Sequence, residues 1–264
     1  MEQIDLKQEL AAQANAPAPK EEVKLKKNMA IPDMVKAMMP EIRRALPTVI
    51  TPERFTRIAL SALNNTPALQ QCTPMSFLAA LMNAAQLGLE PNTPLGQAYL
   101  IPYKNKGNLE CQFQIGYKGL IDLAYRNGQI QTIQAQAVYE HDFFEYEYGL
   151  EPRLVHKPAF SDRGDVIYFY AIFKTVNGGF GMAVMSKADM DLYAKTYSKA
   201  FDSSYSPWKT DYESMAKKTV IKQALKYAPI KTDFQRALST DETIKKEISD
   251  DMFSVKNEEI ELVA

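Results

Sequence analysis

At 264 residues, 46% hydrophobic and 24% charged, the chain has the composition of a soluble globular protein, with ample length for one sizeable core. Two cysteines, Cys72 and Cys111, exclude a disulfide framework, and no Cys/His cluster has zinc-ligand spacing. The net charge of −1 gives no overall bias toward a polyanion; lacking a signal-peptide run and any apolar stretch of about 18 residues, the chain is expected to be cytoplasmic and not membrane-spanning.

Residues 1–29 are rich in Ala, Pro and charge and are expected to form a disordered arm. Helical signals follow. Pro40 divides a helical stretch between 31 and 46. Thr51-Pro52 and Thr73-Pro74 each place an N-cap before a proline at the first helical position. The helix over 74–87 carries "FLAALMNAAQL" and stops at Gly88, a natural C-cap. From Gln97 the texture changes. "QAYLIPY" and "ECQFQIGY" are strand-like and flank "KNKGN", which has the turn chemistry of a hairpin. A helix over about 117–126 ends at Asn127-Gly128. "IQTIQAQAVYE", "FFEYEY", "DVIYFYAIFKT" and "FGMAVMS" then read as strands rich in β-branched and aromatic residues. Helices return at 187–197 and 210–228. This order predicts an α+β fold, an antiparallel sheet flanked by helices, with one core over 30–235 and a flexible acidic tail over 236–264.

Charge is distributed unevenly. Residues 187–231 hold nine Lys against five Asp/Glu, whereas 233–264 hold four Lys/Arg against nine Asp/Glu. On a wheel of about 100° per residue, Ala216, Val220, Ala224 and Ala228 form an apolar row that Ile221 and Leu225 widen. Lys218, Lys222 and Lys226 share a face read as solvated, while Lys217 projects from the middle of the apolar arc. Such an amine either snorkels to water, pairs with a carboxylate, or lines a groove that receives an anion. Thr210 and Glu213 fit a capping box.

Enzyme signatures are missing: no P-loop, G-x-S-x-G, H-E-x-x-H or G-x-G-x-x-G occurs. His141 and His156 lack a recognisable nucleophile partner. The acidic run 140–151 reads as a half-exposed strand in preference to a magnesium site. Basic residues do, however, interleave with aromatic ones, including Tyr103, Tyr117, Tyr197, Tyr205 and Trp208. That pattern suits single-stranded nucleic acid, whose phosphates attract cations and whose unpaired bases stack on rings. For Tyr117 and Trp208, stacking on bases and packing in the core remain alternatives.

"LGLEPNTPLGQAYLIPY" (87–103), "IGYKGLIDLA" (115–124), "SKA" (198–200) and "PWKTDYESMAKKTVIKQALKY" (207–227) together resemble the RecT family of phage and prophage recombinases, which anneal complementary DNA strands. The resemblance covers about residues 30–240 and keeps motif order. It implies a small α+β core that assembles into rings or helical filaments on DNA, without ATP and with no required cofactor, Mg²⁺ being optional. It implies a partner 5′→3′ exonuclease and contact with the host single-strand-binding protein in the bacterial cytoplasm. Carried onto the matching positions, the DNA contacts are Lys104, Lys106, Tyr117, Lys118, Arg126, Lys199, Trp208, Lys209, Lys217 and Lys218. The competing expectations are a metal-dependent nuclease using the 140–151 carboxylates or Asp211 and Glu213, and an RNA-binding structural oligomer.

Overall fold

The computed structural model describes residues 29–198, 201–202 and 206–229, together with residues 235, 239, 241, 245 and 248. All of the expected 1–29 arm but its last residue lies outside them, as does most of the expected tail.

Met38 ends α1 (Ile31–Ala37) and caps α2 (Met39–Ala45), so Pro40 falls in a first helical turn where no hydrogen bond is lost. Thr51 Oγ1 accepts the Arg54 N–H and starts α3 (Pro52–Asn65). A short 3₁₀ turn over Pro67–Gln71, without a clear sequence signal, leads to α4 (Pro74–Leu87). Nearly every side of α4 is buried, as its unbroken apolar run requires. Thr73 does not cap it through a backbone amide; its hydroxyl bonds Ser76 Oγ at 2.8 Å, and Ser76 Oγ accepts the Cys111 N–H at 2.9 Å. Those bonds fasten α4 to the hairpin. Gly88, at φ +59°, supplies the left-handed C-cap.

The hairpin joins β1 (Ala98–Asn105) to β2 (Asn108–Ile115) through Lys106-Gly107. Both turn residues have positive φ, the primed geometry that suits the twist of a two-residue loop. After α5 (Tyr117–Arg126) come β3 (Ile130–Tyr139), β4 (Phe143–Glu147), β5 (Arg153–Lys157), β6 (Val166–Thr175) and β7 (Phe180–Ser186). The single sheet expected from sequence is divided among three small antiparallel ones: β1-β2, β3-β6-β7 and β4-β5. Strand β5 is too short and too charged to announce itself. It is held by its pairing with β4, and Phe144 stacks on Tyr170 at 5.6 Å. At the entry to β4, Asp142, its side chain covered, accepts bonds from Arg163, His156 Nε2 and the Tyr139 and Ala159 amides.

Helix α6 (Lys187–Tyr197), the single turn α7 (Pro207–Thr210) and α8 (Tyr212–Leu225) complete the described elements. Helix α8 packs against β6, β7 and β3 and also against α5. It therefore joins the sheet to the helical layer. The capping box expected at Thr210 and Glu213 does not form. Ser206 caps α7 instead, Asp211 stands at the start of α8 without a side-chain cap bond, and Glu213 turns to Lys217.

Candidate nucleic-acid interface

Three sequence motifs meet at one cleft. The base of the hairpin contributes Tyr99, Ile101 and Gln114. The turn after β2 contributes Gly116 and Tyr117, and the α7–α8 corner contributes Pro207, Thr210, Asp211, Ser214, Met215 and Lys218. The space enclosed is about 230 Å³.

The two glycines of GYKG make this convergence possible. A Cβ on Gly116 would lie 2.2 Å from the Gly96 carbonyl oxygen, and one on Gly119 would lie 2.1 Å from that of Gln97. The Gly116 N–H reaches Gln97 O at 2.9 Å. Helix α5 thus enters directly on the backbone before β1, a contact that only glycine permits. Arg126, at the other end of α5, donates to Leu87 O and Gly88 O and pairs with Asp122. Its guanidinium satisfies the open carbonyls at the end of α4, so the structure gives it a capping role.

The charge pattern on α8 departs from the wheel. Lys218, assigned to the solvated face, is the buried amine, its side chain 4% exposed. Lys217 is half-buried, and its ammonium reaches back to Glu213 Oε1 at 2.6 Å, the snorkelled pair that sequence left open. The reason is that α8 is covered on two sides, by the sheet and by α5, so its buried arc extends past Leu225 to Lys218. Lys222 is partly covered and Lys226 is exposed.

The carboxylate that meets Lys218 belongs to Asp241, within the segment expected to be a tail. Asp241 Oδ1 accepts the Ile115 N–H at 2.7 Å, and its oxygens lie 2.9 Å from Lys218 Nζ and 3.2 Å from Lys222 Nζ. Burial by itself would raise this carboxyl, but the two ammoniums and the amide hold it below the ordinary carboxylate range. Lys245 is also buried, and Ile248 packs against the core. No local pattern announces Asp241, which lies 126 positions from the amide it contacts.

The remaining expected contacts are dispersed. Trp208 is buried edge-on to Tyr212 at 5.6 Å, so of its two alternatives the structure shows core packing. Tyr117 is half-buried in the cleft wall, with Lys118 exposed beside it. Lys209 lies over the Phe201 ring at 4.9 Å. Lys104 and Lys106 are exposed near the hairpin tip, about 17–23 Å along the strand from Tyr99 at the base. Lys199 lies outside the described residues. Tyr99 was missed, although strand alternation carries the signal: Ala98 and Leu100 face the core and leave Tyr99 outward.

Among the described residues, no group of three His, Cys, Asp or Glu side chains is placed to hold a metal ion. Asp142 of the acidic run is enclosed by Arg163 and His156, and Glu145 and Glu147 are exposed on β4. No helix among the described residues is long and apolar enough to cross a membrane.

The RecT family model matches residues 53–256. The chain is 41% identical over 210 residues to Protein RecT of Escherichia coli K12, covering 78% of this chain and 77% of that one. It is 33% identical over 197 residues to the uncharacterized protein YqaK of Bacillus subtilis 168, covering 74% of this chain and 66% of that one. The motifs that meet at the cleft lie inside residues 53–256, and the chain belongs to the RecT family.

Proposed function

We propose that this recombination and annealing protein of the RecT family binds single-stranded DNA along the cleft and the hairpin and pairs it with a complementary strand without ATP. The observation that carries this reading is the convergence of three distant motifs on one cleft: Tyr99 and Tyr117 in its wall, Lys118 at its edge, and α8 as its floor. Cations at the cleft edge and along the hairpin grip phosphates, and the Tyr99 and Tyr117 rings offer stacking surfaces worth about 1–3 kcal/mol per base. Few base-edge hydrogen bonds are made, so sequence preference is low and Watson–Crick edges remain open to a second strand. Pairing then supplies about 1.4 kcal/mol per step.

A ring or filament of subunits adds weak contacts along the strand. A 5′→3′ exonuclease supplies the single strand and the host single-strand-binding protein delivers it, in the bacterial cytoplasm. Mg²⁺ is optional for this binding chemistry. The enclosed position of Asp142 supports this reading over a nuclease, because the most buried carboxylate of the acidic run already has four donors.

The test is annealing of two complementary oligonucleotides by the purified chain, without nucleotide and with chelator present. Annealing is expected, and a Lys104→Ala, Lys106→Ala, Lys118→Ala triple variant should weaken single-strand affinity by about tenfold or more at low salt. Log affinity of the unmodified chain should fall with log salt by about 0.7 per phosphate neutralised. A flat salt response, or unchanged affinity in the triple variant, refutes the interface.

A further inference from the structure

We propose that the Ile115 N–H and the Lys218 and Lys222 ammoniums form a seat for one backbone phosphate of single-stranded DNA, and that the chain's own Asp241 carboxylate fills this seat when DNA is absent. The inference rests on the DNA-binding reading above and adds to it a phosphate site and a built-in competitor.

Three N–H donors converge on the two oxygens of Asp241, at 2.7 Å from Ile115, 2.9 Å from Lys218 and 3.2 Å from Lys222. A phosphodiester carries the same single negative charge and likewise presents two unesterified oxygens. Exchange of one for the other therefore preserves both charge and donor satisfaction, and neither ammonium is left buried without a counter-ion. The covered seat borders the cleft, because Ile115 and Lys218 line the cleft and also hold Asp241. A strand lying against Tyr99 and Tyr117 thus runs past it. The occupant comes from the strongly acidic stretch 233–264, nine Asp/Glu against four Lys/Arg.

While Asp241 is seated, two cations of α8 are withdrawn from DNA; Lys217 is already paired with Glu213. Strand entry replaces the carboxylate and frees the segment that carries it. Loading of DNA and docking of Asp241 are then mutually exclusive.

Hydrogen exchange on the full chain, with and without a saturating oligothymidylate, tests this. Peptides spanning residues 235–248 should exchange faster with DNA bound, while the Ile115 amide stays protected by its new phosphate partner. Unchanged or slower exchange over 235–248 in the DNA complex shows that Asp241 is a permanent tie and overturns the proposal. Asp241→Asn should also raise affinity for the oligonucleotide several-fold at low salt; a folded Asp241→Asn protein with equal or lower affinity refutes the competition. Should that variant fail to fold, exchange on the unmodified chain decides. Failure of the unmodified chain to bind the oligonucleotide at all refutes the function, whereas binding with an undisturbed segment refutes the seat alone.

Discussion

Gly119→Ala puts the geometry of the cleft to a direct test. Alanine is the best helix former, so at an exposed interior position of α5 this change would stabilise by about 1 kcal/mol. At Gly119 the added methyl would stand 2.1 Å from Gln97 O, 2.9 Å from Gln97 C and 3.1 Å from Ile115 Cγ2. Close carbon–oxygen contacts in proteins lie near 3.3–3.6 Å, so α5 must withdraw from the backbone ahead of β1 by about 1 Å. The obstacle is main chain, and no rotamer change relieves it. Overpacking of this kind costs about 1–3 kcal/mol or more. The same movement stretches the Gly116 N–H bond to Gln97 O, another 1 kcal/mol or so. Against the propensity gain of the same size as the lost hydrogen bond, a net loss of about 1–3 kcal/mol remains, a fall of about 2–12 °C in melting temperature for a chain of this size. Gly128→Ala is the control, because no atom lies within 4 Å of its Cβ position and only the strain of φ +73° opposes it, about 1–2 kcal/mol. Thermal melting followed by circular dichroism measures both. If Gly119→Ala melts at or above the unmodified chain, the close approach of α5 to β1 is wrong, and with it the shape of the cleft.

Two further changes separate structural roles from DNA contacts. The Arg163 guanidinium, followed by His156 and two amides, holds the Asp142 carboxyl far below the usual carboxylate range. A depressed native value contributes stability that is complete above the unfolded value of about 3.9, declines gradually below it, and is lost only as pH falls through the much lower native value. Asp142→Asn should therefore lower the urea midpoint clearly at pH 7, with most of the deficit persisting at pH 3 and shrinking steadily at still lower pH; a deficit that has already vanished by about pH 4 would exclude the charge as its cause. Trp208→Ala should cost about 3–5 kcal/mol of stability, and Trp208→Phe should recover most of both fold and DNA affinity. Loss of affinity in Trp208→Ala at an unchanged melting temperature would instead make the ring a DNA contact.

Much of the molecule follows from local chemistry that sequence displays. Gly88 and Gly128 ended their helices, and Gly107 closed its hairpin, because glycine adopts positive φ at little cost. The broad strands and helices followed from the periodicity of apolar residues, and the α+β class from their order. The family, too, is legible in the motifs themselves.

Position in space was another matter. Periodicity gives the angle of a side chain around a helix but does not say how many sides of that helix are covered. Lys218 is buried because both the sheet and α5 close on α8, whereas Lys217 escapes to Glu213. Arg126 stands among the DNA contacts that the resemblance implies, and its capping role is not legible locally because the carbonyls it caps belong to α4, nearly forty residues earlier. The Asp241 seat needed a β2 amide, two lysines of α8 and a carboxylate from beyond α8. Local free energies select turns, caps and periods, and these are written in neighbouring residues; which charge meets which depends on chain segments that only the packed core brings within about 4 Å.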